Sequence, residues 1–404
     1  MRRYSLDEIT FYRALSPSAK ESVIINEQEL ANAEDAMARR PLRFKILMSG
    51  MTTRNKATAL RKIGMLKGDS DSSSHHKISE WINGLLSLPI GRYIGLPVTS
   101  ASTPDKIGDF LRAMRTQLDA AVFGHAAVKD HVVRLLAQWI SNPSSRGLVL
   151  GIHGPPGVGK TELCRAICRC LGLPFAFVPL GGISDGSHLD GHSYTYEGAV
   201  WGKVSDVLMK CGCMNPVLFF DELDKISETR HGDEIVNLLI HITDATQNTQ
   251  FADKYFVDVD IDLSRCLMVF SYNDETRVSP VLLDRMTRIR AEGYSASDKV
   301  SIAQSHLLPA ILGEFGLGRD AVRVSRDTVQ RILAKNEIES EAGVRGLKRA
   351  LHNVVSHLNY ERMVEGVEAQ FSIDITESHV DKFASPTSAA GNTALPASVR
   401  SMYV

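Results

Sequence analysis

The fold of this chain is constrained most by one segment, Gly154-Pro155-Pro156-Gly157-Val158-Gly159-Lys160-Thr161. It matches the pattern Gly-x-x-x-x-Gly-Lys-Thr at every fixed position. An apolar run at 148–152 precedes it and a helical pattern follows from Glu162. In such a loop the backbone N–H groups face phosphates, and the following helix N-terminus adds positive potential. The segment therefore predicts an ATP site, in which Lys160 reaches the β- and γ-phosphates and Thr161 ligates Mg²⁺.

Strands and helices alternate through the middle of the chain. Apolar runs predict buried strands at 148–152, 175–180, 217–221 and 266–272, and a helix is predicted over 162–171. This alternation is typical of a parallel sheet with helices on both faces. The flanking strand and helix also argue against the alternative reading of the glycine-rich segment as a chance turn. The predicted fold class is α/β, with a P-loop nucleotide-binding core.

The remainder of the chain is predicted to be mainly helical. Residues 1–105 are assigned to a mainly helical N-terminal region, with a solvated loop at 69–76 and a Gly-, Pro-, Ser- and Thr-rich boundary at 95–104. The α/β domain is assigned to 106–295. A small helical domain follows at 296–382, with no strand expected between 296 and 365. The tail at 383–404 is expected to be disordered.

Composition limits the possible partners and compartments. A chain of 404 residues suggests about two or three domains. Its net charge of −1 gives no overall attraction to nucleic acid or to anionic membranes. No apolar run approaches the ~18 residues of a membrane span. Two arginines open the sequence, but Asp7 and Glu8 follow and an apolar core is missing. We therefore expect an intracellular protein, in the cytoplasm, and leave the mitochondrial matrix open.

The cysteines and histidines do not predict a transition-metal site. Six cysteines in a chain of this length are typical of reduced intracellular thiols. Zinc is the alternative, but no second CxxC-type pair completes a site. His188 and His192 have helical i, i+4 spacing without the glutamate of a zinc-protease motif.

A pair of acids after the third predicted strand suits ATP hydrolysis. Asp221 and Glu222 end the apolar run 216–220. We predict that Asp221 holds the Mg²⁺ through water, close to Thr161, and that Glu222 orients and deprotonates the attacking water. The alternative is that both acids merely cap the next helix.

Several further segments resemble the ATPase part of the Lon protease family, in the family's order, over roughly residues 118 to 365. These segments are Gly181-Gly-Ile-Ser-Asp185, Gly191-His-Ser-Tyr-Thr-Tyr196-Glu-Gly-Ala, Asp221-Glu-Leu-Asp-Lys225, Phe251-Ala-Asp-Lys-Tyr255, Asp262-Leu-Ser, Leu282-Leu-Asp-Arg-Met286, Gly293-Tyr294, Ile302-Ala, His306-Leu and Glu341-Ala-Gly-Val-Arg345-Gly-Leu. The resemblance implies an AAA+ core: a five-stranded parallel sheet, a small helical lid, and assembly into a ring that is usually a hexamer.

The resemblance also implies roles for single residues. Asn273 would be sensor 1, which holds the water against the γ-phosphate, and Arg345 would be sensor 2, a lid residue that closes on that phosphate. Arg285 would be the arginine finger, supplied to the ATP of the neighbouring subunit. Phe123-Gly124 would sit against the adenine. The alternative for Asn273 is an ordinary turn asparagine, and for Arg285 it is a surface helix arginine paired with an acid. The alternative for Phe123-Gly124 is an ordinary helix lead-in.

A pore loop is implied around Tyr196, where an aromatic side chain grips an unfolded protein chain. The family usually shows Tyr, an aliphatic residue, Gly, a small residue, Met, Pro and Gly. This chain instead has Glu197 at the aliphatic position and Trp201 at the proline position. The departures leave substrate preference and translocation strength open. The alternative for Tyr196 is a tyrosine buried in a hairpin.

The resemblance ends before the serine–lysine peptidase domain of the family, so we expect no intrinsic protease activity. The expected function is a Mg²⁺–ATP-driven unfoldase or chaperone in protein quality control, acting on unfolded or damaged proteins. It would have no peptidase of its own and would work alone or with a separate peptidase. An ATP-switched assembly factor with little threading is the second reading. The near-neutral charge argues against the third, an AAA+ protein acting on DNA.

Overall fold

A computed structural model of the chain describes residues 5–33, 40–66, 72–145, 147–183, 185–196, 198–335, 340–365 and 373–383. Glu197 and the predicted tail from residue 384 onward lie outside the described residues. In the part of the chain that is described, no helix combines the length and the apolar character that crossing a membrane requires.

Among the described residues, five helices precede the sheet domain. They are α1 (Leu6–Ala14), α2 (Pro17–Ala33), α3 (Leu42–Met48), α4 (Thr53–Leu66) and α5 (Ser72–Ser87). The expectation of a loop over 69–76 is wrong from residue 72 onward, because α5 begins at Ser72. Polar side chains do not prevent a helix whose apolar face lies farther along, at Trp81, Ile82 and Leu85, all fully buried.

The middle of the chain forms the α/β domain. Its helices are α6 (Pro104–Ala121), α7 (Ala126–Ser141), α8 (Lys160–Leu171), α9 (Ser187–Asp190), α10 (Lys203–Cys211), α11 (Arg230–Thr243) and α12 (Pro280–Asp284). Its strands are β1 (Val149–His153), β2 (Phe175–Pro179), β3 (Val217–Asp221), β4 (Phe251–Ala252), β5 (Asp260–Ile261), β6 (Leu267–Tyr272) and β7 (Thr287–Arg290).

Five of these strands make one parallel sheet, in the order β2-β3-β6-β1-β7, which confirms the predicted fold class. Strands β4 and β5 form a separate antiparallel pair. The sheet is covered on both faces. On one face Leu150 and Ile152 pack with α8, and on the other Phe220 and Phe270 stack with ring centroids 4.6 Å apart. The carboxyl ends of β1, β3 and β6 meet at one edge, where open α/β sheets bind ligands.

The helices α3 to α5 share a core with the sheet domain. Ile46, Trp81 and Leu85 belong to the same buried cluster as the β3 residue Phe220. The indole Nε1 of Trp81 donates a 2.8 Å hydrogen bond to the carbonyl oxygen of Tyr255. Helices α3 to α5 are therefore packed against the domain that carries the phosphate loop.

The C-terminal part of the described chain has its own core. It contains α13 (Ala296–Ile302), a π-helical turn at 303–307, α14 (Leu308–Glu314), β8 (Val322–Val324), α15 (Arg326–Lys335), α16 (Arg345–Glu365), β9 (Ile373–Ile375) and α17 (Glu377–Phe383). The expectation of no strand at 296–365 is wrong, because β8 pairs in parallel with β9. Strand β8 has only three residues, an arginine between two valines, and this is too short to give a periodic signal.

Candidate functional site

The phosphate loop connects β1 to α8, and its shape depends on glycine. Gly157 and Gly159 have φ values of +80° and +88°, in the left-handed region that side chains disfavour. A Cβ atom on Gly157 would also lie 3.2 Å from the Cβ of Arg345 in the lid. The sequence therefore allows the loop to turn tightly and lets the lid approach it closely.

Lys160 is the first residue of α8 and is 8% exposed. Its ammonium group donates to the carbonyl oxygens of residues 154 and 155, at 2.6 and 3.0 Å, and to Oδ1 of Asn273 at 2.7 Å. Burial lowers the pKa of Lys160, while the charges of Asp221 and Asp224 act in the opposite direction. Lys160 is thus hydrogen-bonded to Asn273, the residue predicted as sensor 1.

Asp221 ends β3 and Glu222 follows it, and the two acids are held in different ways. Oδ1 of Asp221 accepts a 2.7 Å bond from the hydroxyl of Ser271 and a 3.1 Å bond from the amide of Glu222. Glu222 adopts a φ of +60°, which is uncommon for a residue with a side chain. Its carboxylate lies against Gly181, where an added Cβ would be 2.0 Å from Oε2. Gly181 therefore leaves room for the Glu222 carboxylate.

A buried acid, Asp224, holds the loop that carries Asn273. Asp224 is 1% exposed, and its Oδ2 accepts a hydrogen bond of 3.3 Å from the amide of Asp274. Sequence reasoning did not single out Asp224 or Ser271. Both lie beside predicted residues, at Asp221 and Asn273, but only the side-chain contacts across neighbouring strands give them a role.

A cleft of about 700 Å³ lies between the sheet domain and the lid. From the sheet side it is lined by Lys160, Thr161, Asp221, Glu222 and Asn273. From the lid side it is lined by Arg345, at the start of α16, and by His306 and Leu307, in the π-helical turn. Such turns occur often at functional sites. The segment His306-Leu307 resembles the family, but its place in the cleft was not predicted, since a π turn leaves no clear pattern.

Phe123 and Gly124, the residues predicted to contact the adenine, precede α7. Phe123 and Gly124 are not among the cleft-lining residues; the ring of Phe123 instead lies 6.2 Å from that of Tyr294. The Tyr294 hydroxyl contacts Nε2 of His125 at 2.8 Å and donates to the carbonyl of Val158 at 2.9 Å. Burial raises the pKa of Tyr294 to about 12, and burial lowers the pKa of His125. The segment before α7 is thus bonded to the phosphate loop.

Arg285 lies outside this cleft. It caps α12, its side chain is 30% exposed, and it pairs with Asp244 at the end of α11. Asp244 is itself held by the amide and hydroxyl of Thr246. These bonds to Thr246, with the Arg285 guanidinium, keep the pKa of Asp244 well below its usual range. Within its own subunit, Arg285 is therefore a partly exposed arginine paired with an acid, which was the alternative interpretation of this residue.

Tyr196 lies near the tip of the loop between α9 and α10, which we call the 191–202 loop. Its side chain is 69% exposed, and Val200 in the same loop is 61% exposed. The alternative of a buried tyrosine is therefore wrong. Glu197 lies outside the described residues.

The residues around the cleft fit a magnesium–nucleotide. Lys160 and Arg345 are cations on opposite sides, while Thr161 and Asp221 supply the oxygen ligands that Mg²⁺ prefers. Among the described residues no group of three or more histidines, cysteines or acids could hold a metal ion alone.

The fold and the cleft define the AAA domain of a P-loop ATPase. Residues 150–294 match the family model described as "ATPase family associated with various cellular activities (AAA)". Over 295 residues, 72% of its length, the chain is 39% identical to a Lon protease homolog of Acanthamoeba polyphaga mimivirus. It is 32% identical over 370 residues, 92% of its length, to Lon protease 2 of Hydrogenovibrio crunogenus. It is 34% identical over 343 residues, 83% of its length, to the peroxisomal Lon protease homolog 2 of Arabidopsis thaliana.

These comparisons confirm the resemblance read from the motifs: the chain belongs to the Lon protease family. The matched regions are 28%, 40% and 37% of the three relatives, so the chain spans less than half of their length.

Proposed function

We propose that this chain binds and hydrolyses Mg²⁺–ATP and uses the energy to unfold, remodel or translocate other proteins. The observation that supports the proposal most is the convergence on one cleft of groups from four separate elements. Lys160 comes from α8, Asp221 and Glu222 from the end of β3, Asn273 from the end of β6, and Arg345 from α16. A single structural role would not require this combination of cations, acids and an amide.

Each group has a chemical task in the proposed reaction. Lys160 and Arg345 neutralise negative charge on the β- and γ-phosphates from two sides of the cleft. Glu222 accepts the proton of the attacking water, and its carboxylate lies against Gly181, which leaves room for it. Asn273 is bonded to Lys160, so its amide is placed to orient that water.

Thr161 and Asp221 would hold the metal. The ion, when bound, neutralises charge on the β- and γ-phosphate oxygens. Asp221 keeps a fixed orientation through Ser271 and the amide of Glu222. We propose that this carboxylate binds the ion through water.

The protein-handling part of the proposal rests on the 191–202 loop. Tyr196 and Val200 present apolar surface to solvent on a loop of the ATPase domain itself. An exposed aromatic contacts any unfolded chain without reading its sequence. The relatives are named as proteases, which act on proteins, and we extend that substrate class to this chain.

Assembly into a ring, most simply a homo-hexamer, is part of the proposal. Arg285 lies outside the cleft of its own subunit, so it serves a phosphate only if a second copy is present. Closed rings arise when one surface of a subunit contacts a different surface of the next. We propose an intracellular, cytoplasmic location; the word peroxisomal, which stands in the name of the Arabidopsis thaliana relative, describes that protein and not this chain.

The test is an ATPase assay combined with a size measurement, with and without ATP and with casein as the unfolded protein. The proposal predicts Mg²⁺-dependent turnover, an ATP-dependent increase in size, and faster turnover with casein. Turnover that casein does not change would contradict the protein-handling part. We also predict that these 404 residues have no protease activity. Casein should therefore be intact at the end of the assay.

A further inference from the structure

The base of the 191–202 loop is packed against helices α4 and α5. Five side chains form what we call the aromatic cluster: Trp81, Tyr194, Trp201, Tyr255 and Phe256. Trp81 belongs to α5, while Tyr194 and Trp201 belong to the loop. The rings of Trp201 and Phe256 stack with centroids 6.1 Å apart, and those of Trp81 and Tyr194 are 6.4 Å apart.

A lysine of α4 completes this contact. The ammonium group of Lys62 lies 3.9 Å from the ring centroid of Tyr194 and 4.6 Å from that of Trp81. Both distances are within the ~6 Å at which a cation is attracted to an aromatic face. The ammonium group of Lys62 on α4 therefore makes a cation–π contact with Tyr194 of the loop.

Two more contacts reach the loop from α5. Lys77 donates a 3.1 Å hydrogen bond to the carbonyl of Thr195, the residue before Tyr196. Gly84 faces the indole of Trp201, and a Cβ atom at Gly84 would lie 3.0 Å from that ring. Trp201 stands where the family pattern has proline, so this contact gives the departure a structural role.

The two ends of the loop are also tied together. The amide of His192 donates to the carbonyl of Val200 at 3.2 Å. Buried Asp253 accepts a 2.9 Å bond from the amide of Gly202. The loop thus has a fixed base, while the side chain of Tyr196 is 69% exposed.

We infer that α4 and α5 position the 191–202 loop for protein binding, with Lys62, Lys77 and Trp201 as the positioning residues. The inference rests on the proposed function, because it concerns how Tyr196 is presented to a protein substrate. When a loop spends only part of its time in the binding conformation, the apparent dissociation constant rises in proportion. Loss of Lys62 should therefore weaken the response to protein without altering the ATP cleft.

The test compares Lys62→Met, which keeps an apolar stem without the charge, with Lys62→Arg, which keeps a cation over the rings. The matched control is Arg61→Met, since Arg61 is the exposed neighbour on α4. Basal ATPase, and the apparent KM and kcat of casein-stimulated ATPase, are measured for all. Lys62→Met is expected to raise the apparent KM for casein roughly threefold or more, with basal turnover unchanged. Lys62→Arg and Arg61→Met are expected to match the wild type.

A wild-type KM for casein in Lys62→Met would overturn the inference. If Lys62→Met also loses basal turnover, Lys77→Met decides, because it removes a different contact of the same loop. Lys77→Met should then raise the KM for casein, and an unchanged KM would overturn the inference. A wild-type protein that casein does not stimulate contradicts the proposed function instead, so the two failures are distinguishable.

Discussion

The amide of Val344 donates a hydrogen bond of 3.1 Å to the carbonyl of Gly157. This bond joins the loop before α16 directly to the phosphate loop. Gly343 makes the approach possible, since a Cβ atom there would lie 2.5 Å from the carbonyl oxygen of Pro156. The position of Arg345 in the cleft is therefore set by contact between the lid and the phosphate loop.

Gly343→Ala is expected to weaken ATP binding, because the added methyl group must push the lid from the phosphate loop. Overpacking of this kind costs about 1–3 kcal/mol. If the lid approach is needed for binding, the dissociation constant rises roughly five- to 150-fold. Titration with a fluorescent ATP analogue measures it.

The control for this prediction is Gly313→Ala in α14 of the same lid. Apart from the neighbouring residues and backbone of α14 itself, nothing lies within 4 Å of a Cβ added at Gly313, so affinity should stay unchanged. An equal affinity for ATP in Gly343→Ala and Gly313→Ala would show that the contact has no part in nucleotide binding.

Arg285→Ala is expected to abolish hydrolysis while ATP binding remains. Removal of an arginine finger costs roughly 10³–10⁵ in rate. Mixing Arg285→Ala with Glu222→Gln should restore activity, because some sites combine an intact glutamate with an arginine from the neighbour. With random mixing about a quarter of the sites do so.

Arg288→Ala serves as the control for the arginine prediction. Arg288 is an exposed arginine that, like Arg285, pairs with an acid of its own subunit, in this case Glu275. Its loss should leave turnover near the wild-type rate. Absence of recovery in the mixed sample, with both proteins present in the same oligomer, would contradict action across the interface.

Tyr196→Ala is expected to remove the stimulation of ATPase by casein and to leave basal turnover intact. The side chain is exposed on a loop and contributes no group to the ATP cleft. Tyr360→Ala is a suitable control, since Tyr360 is exposed to a similar extent, at 66%, on the lid. Stimulation that survives in Tyr196→Ala would favour an ATP-switched assembly factor over a motor.

Asp253 is expected to give the stability a specific pH dependence. Burial raises the pKa of Asp253 from 3.8 to about 6, so the folded state holds this proton more tightly than the unfolded chain. Its contribution is full below about pH 4 and is lost as the pH rises to about 6. The total is on the order of 3 kcal/mol.

Urea unfolding of the wild type and Asp253→Asn between pH 4 and 7 measures this contribution. The amide cannot titrate, so the free energy of unfolding of the wild type should fall relative to the variant as the pH rises. Two curves that stay parallel over this range would mean that Asp253 does not titrate there.

The sequence predicted the parts of the site that are held by local pattern. The glycine-rich loop, the strand that ends at Asp221 and the strand before Asn273 each have their own signal. Because the carboxyl ends of neighbouring parallel strands share an edge, proximity of Lys160, Asp221 and Asn273 could be expected. Their chemical roles remain predictions.

Contacts between distant residues could not be predicted. Trp81 bonds to Tyr255, which lies 174 residues away, and no local pattern connects α5 with that segment. The π-helical turn that brings His306 into the cleft and the three-residue strand β8 are also too short for periodicity to detect. The sequence showed that Trp201 replaces the proline of the family pattern. Its contacts could not be predicted, because they depend on how α5 packs against the loop.

The most direct test of the central claim is the comparison of ATP binding and ATP turnover in Glu222→Gln and the wild type. The glutamine keeps the shape of the side chain but cannot accept the proton of water. The account predicts wild-type affinity for Mg²⁺–ATP, loss of turnover, and an oligomer that stays assembled on ATP. Turnover at the wild-type rate in Glu222→Gln, or a wild-type protein with no affinity for Mg²⁺–ATP, would contradict it.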